Sequence, residues 1–207
     1  LGDQRRTTEL SQYLLSHKDA RVRANAAVAI GRMEEPKSIK LLRTALRREQ
    51  KDAVTMQILE ALAMLGDSHG VERLKMYGFS AVPDQSALAL MCLANAKNSE
   101  ADELFRFRLS VADHPEIKLQ AARGLGRLGY PDGYDLASRH LYFNSPKQRG
   151  PSDPPELQIS RVRQLAALAL EDIRDPEALG PLKVSFYAEE QDASTRLAIA
   201  RAAVKLI

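Results

Sequence analysis

The side chains able to do chemistry in this chain are few and scattered. Four histidines, His17, His69, His114 and His140, are isolated from one another, and none has the H-E-x-x-H spacing that sets two imidazoles on one helix face for zinc. The single cysteine, Cys92, lies between Met91 and Leu93. That setting suits a packed small hydrophobe better than a reactive thiolate, which needs nearby positive charge and access. No Cys/His cluster has metal-ligand spacing. Gly124, Gly126 and Gly129 follow no evident strand, so they read as close helix packing and a helix end rather than a dinucleotide fingerprint. No catalytic group, metal or cofactor is expected from these residues. What remains is positive charge that can hold carboxylates or phosphates: Arg32, Lys118, Arg123, Arg127, Arg161, Arg163, Arg196 and Arg201, with Lys147 and Arg149 in a separate polar stretch.

These cations are positioned by a repeat. The pattern Val22-Arg23-x-x-Ala26-Ala27-x-x-Ile30-Gly31 recurs from Val54, Gln85, Ile117, Val162 and Ser194, at steps of 32, 31, 32, 45 and 32 residues. A near-constant period of this size marks a stacked array of supersecondary units. The fifth position reads Ala26, Ile58, Ala89, Ala121, Ala166 and Ala198, and the ninth reads Ile30, Leu62, Leu93, Leu125, Leu170 and Ala202. Apolar residues four apart share one helix face. The tenth position is small in every copy but the one with Glu171, which lets a neighbouring helix come close. This segment is termed the B helix.

Fourteen residues after each start stands Pro36, Ser68, Ser99, Pro131 or Pro176. Proline in a first turn, or serine as an N-cap, opens a second amphipathic helix, the A helix of the next pair. Thr7 to Ser16 supplies the first A helix. The expectation is all-α: an α-solenoid of about six antiparallel helix pairs, a single array over residues 1–207. Asp19, Asp52, Asp84, Asp113 and Asp192 stand near B-helix starts, where carboxylates cap free N–H groups.

The run Asp19-x-Arg21-Val22-Arg23-x-x-Ala26-Ala27-x-x-Ile30-Gly31, followed by Pro36-x-x-Ile39, resembles the short bacterial HEAT repeat, also called the PBS-lyase HEAT-like repeat. The copies from Ile117 and Val162 match comparably, and those from Val54, Gln85 and Ser194 are degenerate. The resemblance implies a right-handed superhelical stack with B helices lining its inner surface. It also implies that Arg23, Lys118 and Arg163, at the second repeat position, pair with acidic residues of neighbouring units. Deoxyhypusine hydroxylase resembles this architecture, but its iron-binding His-Glu dipeptides are absent here. The Trp that HEAT-like alkylpurine glycosylases place in their cleft is absent too.

The 45-residue step marks an inserted Pro-rich loop, residues 144–156, running from Asn144 to Pro155 before helical sequence resumes. Its prolines argue against regular helix. Insertions in solenoids collect on loops, often on the binding face; an idle loop of that length is also cheap to carry. All tyrosines and phenylalanines fall outside the B helices, so the basic face lacks the aromatic platforms on which single-stranded nucleic acid stacks.

Net charge is +3 and the pI about 9.0, far from a chain dominated by nucleic-acid-binding charge. One cysteine excludes an internal disulfide framework. No apolar stretch approaches the length of a membrane span, so no membrane insertion is expected within this segment. The chain opens on Leu1 and ends on apolar Val204-Lys205-Leu206-Ile207 where a solenoid usually has a polar cap, which suggests a piece of a longer protein. The functional expectation is a non-catalytic protein–protein interaction scaffold using the B-helix face and residues 144–155. Two alternatives stand beside it: a module contacting duplex phosphates through the basic B-helix residues, and a subunit of a bilin-lyase-like enzyme, which the repeat resemblance permits.

Overall fold

Each apolar stripe read from the repeat becomes the buried face of a helix. The computed structural model describes residues 2–147, 153–189 and 191–207, and the chain divides into two compact units, residues 1–101 and 102–207. The first holds α1 (Gly2–Ser16), α2 (Ala20–Arg32), α3 (Ile39–Arg48), α4 (Asp52–Met64), α5 (Ser68–Gly78) and α6 (Pro83–Ala96). The second holds α7 (Asp102–Val111), α8 (Pro115–Arg127), α9 (Tyr134–His140), α10 (Pro155–Ile173), α11 (Leu179–Phe186) and α12 (Ala193–Leu206). Short 3₁₀ turns at Pro36–Ser38, Ser99–Ala101 and Pro176–Ala178 lead towards the following A helices. Among the described residues these are all the α-helices, and they fall into six A/B pairs.

Within the first unit α2, α4 and α6 pack side by side, each backed by the A helix that precedes it. The second unit repeats the plan with α8, α10 and α12. The ninth repeat position is fully buried in every copy from Ile30 to Ala202. Each such Leu or Ile contributes about 1.5–3 kcal/mol by leaving water. The small tenth position is a steric requirement. A Cβ on Gly31 would lie 2.8 Å from the Ala61 Cα, and one on Gly126 would lie 2.6 Å from the Ile173 nitrogen. Adjacent B helices therefore touch backbone to backbone there.

Helix starts follow two chemistries. Asp19, Asp67 and Asp192 are true N-caps, accepting from the N–H of Arg21, Gly70 and Thr195. Ser68, expected as a cap, is instead the first helical residue behind Asp67. Asp52 and Asp84 lie inside the first turns of α4 and α6, where their charge still favours the helix dipole. The helices α6, α8 and α10 begin with Pro83, Pro115 and Pro155 at the first turn, where the missing N–H costs nothing. This corrects the reading of the insertion. Pro154 and Pro155 stand at the cap and first position of α10, so the helix begins inside the expected loop, seven residues ahead of Val162. No helix is long and apolar enough to cross a membrane among the described residues.

Candidate functional site

The place where a repeat-positioned cation, two histidines and the insertion come together lies in the second unit. The start of α8 contributes Asp113, His114, Glu116 and Lys118; the end of α9 contributes Leu136 and His140. Phe143, Ser145 and Lys147 of the insertion, with Gln158 of α10, close a cavity of about 360 Å³. That volume falls in the range of small-ligand clefts, about 300–1,000 Å³.

Of the insertion, the described residues Lys147 and Asp153 are held by α10. Gln158 is 3% exposed, and its side-chain amide reads the backbone of Lys147 twice. It accepts from the Lys147 N–H at 3.1 Å and donates to the Lys147 carbonyl, and also to the Asp153 carbonyl at 3.2 Å. Arg161 grips the Asp153 carboxylate with two bonds of 2.9 and 3.0 Å, and donates to Glu116 of α8 at 3.0 Å. A bidentate Arg–carboxylate pair fixes geometry as well as supplying attraction. Arg163 donates to the Phe143 carbonyl at 2.9 Å and to Gln191 at 3.1 Å. The Phe143 ring in turn stacks on His140, with centroids 5.7 Å apart and planes 9° apart. The His140 Nδ1–H donates to the Leu136 carbonyl at 2.7 Å. Burial lowers the His140 pKa below the ordinary histidine value against that hydrogen bond, and the charges of Arg139 and Lys118 lower it further. Lys118 and Lys147 bring positive charge to this cavity.

The other expected cations are largely engaged within the unit. Arg123 and Arg163, expected off the buried stripe, are 7% and 4% exposed, which removes them from any open surface. Arg123 and Arg127 of α8 share the two oxygens of Asp172 on α10, each at 2.9 Å, and Arg123 also donates to Gln120. Burial lowers the Arg123 pKa while Asp172 opposes it; the guanidinium stays charged. Arg201 of α12 pairs with Glu171 of α10 at 3.1 Å, which gives the odd tenth-position residue its role. Arg196 donates to the Ala188 carbonyl. In the first unit Arg32 is exposed at the end of α2. Lys147 is exposed at the cavity edge, while Arg149, with residues 148–152, lies outside the described residues.

The second repeat position explains what makes Lys118 different. In the first unit Arg23 meets Glu49, which follows α3, with two bonds of 2.7 and 2.9 Å. Arg163 meets Gln191, twenty-eight residues on, with Glu189 standing at the twenty-six-residue position. Lys118 is half-buried, and its side chain has no hydrogen-bond or ion-pair partner among the described residues. Twenty-six residues on, where Arg23 has Glu49, Lys118 has Asn144. Reading the cations alone misses Gln158, His114, His140 and Asn144. The spacing of 26 held a usable signal, since it relates Arg23 to Glu49, Lys118 to Asn144 and His114 to His140.

Residues 7–78 match the family model for HEAT repeats. No curated protein matches the chain in sequence. Among solved structures, the complex of CpcE and CpcF of phycocyanin lyase from Nostoc sp. PCC7120 is similar, at 17% identity and a TM-score of 0.56, covering 97% of this chain and 82% of that one. Human deoxyhypusine hydroxylase aligns at 16% identity and a TM-score of 0.42, over 100% and 98% of the two chains. A designed armadillo repeat protein aligns at 13% identity and 0.42, over 96% and 99%. Residues 7–78 thus match HEAT repeats, and among the described residues the chain is all-α, its helices packed as sequential A/B pairs within each unit.

Proposed function

We propose that this protein is a non-catalytic scaffold that binds a protein partner at the cavity and insertion of its second unit. The observation that carries the reading is the anchoring of the insertion: Gln158 and Arg161 hold Lys147 and Asp153 in place beside an open cavity. A surface ordered before binding spares the complex much of the entropy of immobilisation. The covered, internally bonded guanidinium groups of Arg123, Arg127 and Arg163 support a protein partner over a nucleic acid, because phosphate binding requires free cations in number. The phycocyanin lyase neighbour is itself a complex of two chains, CpcE and CpcF, a precedent for such a partner.

The test is affinity capture from the native lysate with the purified chain as bait, with and without nuclease, comparing wild type with the double variant Lys118→Glu/Lys147→Glu. The expected result is one protein recovered near stoichiometry, indifferent to nuclease and lost with the variant. Recovery that disappears with nuclease overturns the scaffold reading in favour of nucleic acid. Recovery unchanged by the variant removes the binding site from this cavity.

A further inference from the structure

The cavity beside Lys118 has a counterpart in the first unit that shows what it is missing. There a cavity of about 290 Å³ is lined by the end of α1, Arg23, and the residues from Ala45 to Lys51 that follow α3. Its cation is already matched: Glu49 takes both bonds from Arg23 and also accepts the N–H groups of Gln50 and Lys51. In this copy of the repeat a carboxylate is thus the group that fills the corner beside the second-position cation. In the second unit the cation is kept, but twenty-six residues on the sequence has an exposed Asn144 in place of a glutamate, and among the described residues no carboxylate pairs with Lys118.

The surroundings define what can enter. Lys118 is half-buried and lines the cavity, and Lys147 stands exposed at the rim. Two acidic groups face the same space. Glu116 is engaged by Arg161, while Asp113 is exposed at the margin. Together they limit the site to about one added negative charge, which fits a carboxylate and opposes a doubly charged phosphate. The apolar side chain of Leu136 and the stacked His140–Phe143 pair supply a wall for an aliphatic stem.

We propose that this cavity is a carboxylate pocket taking a Glu or Asp side chain from an acidic segment of the partner protein, with Lys118 as its anchor and Lys147 at its entrance. The proposal rests on the scaffold reading above and specifies its partner. The intruding carboxylate stands in for the one that Glu49 provides in the first unit.

The test needs no partner. Backbone amide resonances of ¹⁵N-labelled full chain are followed while acetyl-Gly-Glu-Gly-amide, acetyl-Gly-Gln-Gly-amide or inorganic phosphate is added. The expected result is that the Glu peptide shifts Lys118, Ser145 and their neighbours in a saturable way, and the Gln peptide leaves them in place. Lys118→Met weakens that binding by about tenfold or more. A second variant, Asn144→Glu, brings a carboxylate to the position that Glu49 holds in the first unit, and is expected to weaken binding of the Glu peptide while the fold is retained. Overturning results are shifts equal for the Glu and Gln peptides, shifts that survive Lys118→Met, or phosphate binding as tightly as the Glu peptide. If these fail while lysate capture still yields a nuclease-resistant protein, the scaffold stands and the carboxylate pocket falls.

Discussion

At the scale of single residues, Glu49 is the group with the clearest energetic signature. The hydrogen bonds from Arg23, with the N–H groups of Lys51 and Gln50, hold its pKa down from 4.5 to about 2 against the cost of burial. A carboxylate whose folded pKa is depressed adds stability above its unfolded pKa and loses it as pH falls through the folded value. The window is therefore pH 4.5 down to about 2, and the amount is on the order of 1–3 kcal/mol. Glu49→Gln is expected to melt lower than wild type at pH 7 and to lose less of its Tm than wild type on acidification through that window. Thermal melts at half-unit pH steps check it, and parallel curves for the two proteins rule out the assignment. Cys92 supplies the contrast. It is fully buried and its thiol is pushed well above the ordinary value, first by burial and then by the charge of Glu60, as suits a packed small side chain. That role was legible from its neighbours Met91 and Leu93. The solitary state of Lys118 was not, because a missing partner is visible only against a second copy whose partner is present.

At the scale of elements, the same period that places the B helices also places their ends. Left-handed residues follow them at Glu34, Gly66, Lys97, Gly129 and Arg174, spaced by 32, 31, 32 and 45 residues like the helix starts. Gly66 and Gly129 close their helices with the six-to-one bonds Asp67 N–H to Leu62 carbonyl and Tyr130 N–H to Leu125 carbonyl. Where a side chain occupies that conformation it costs about 1–2 kcal/mol, offset in part by the entropy a glycine loses on folding. Glu34→Gly is thus expected to stabilise the chain by about 0.5–1 kcal/mol, read as a higher urea midpoint at unchanged m. The opposite sign is expected for Gly126→Ala, whose added methyl meets the α10 backbone at Asp172 and Ile173. Overpacking of this kind costs about 1–3 kcal/mol, against at most about 1 kcal/mol of improved helix propensity. A urea midpoint equal to wild type contradicts the close approach of α8 and α10. The insertion tests a third element. Gln158→Leu removes three hydrogen bonds to Lys147 and Asp153, so trypsin is expected to cut at Lys147 or Arg149 faster than in wild type. Helix positions and close approaches were legible because periodicity and small residues report packing directly. The cap at Asp67 and the early start of α10 were not, since Asp67-Ser68 and Pro154-Pro155 each offer two adjacent residues for one boundary, and only the chain's path selects between them.

At the scale of the whole molecule, charge decides between partners. The net +3 invites a reading of the basic B-helix residues as a phosphate-binding stripe. The side chains answer otherwise: Arg123, Arg127, Arg161 and Arg201 are committed to Asp172, Glu116, Asp153 and Glu171, and Arg163 and Arg196 to neutral acceptors. This could not be read from the sequence, because the acidic partners lie 30 to 49 residues away on neighbouring helices or, like Asp153, inside the insertion. Opening those pairs to reach a duplex would leave carboxylates unpaired beside phosphates, so at the candidate site Lys118 and Lys147 are the cations left for DNA. Each phosphate neutralised steepens the fall of log affinity with log salt by about 0.9. With Lys118 and Lys147 the cations available at the candidate site, the slope for a random-sequence DNA duplex is expected to be no steeper than about −2. Fluorescence anisotropy between 50 and 200 mM KCl, roughly the range over which counterion release is read, measures it. A slope near −5 instead means that the arginine pairs open on contact with phosphate, and the B-helix face then belongs to nucleic acid.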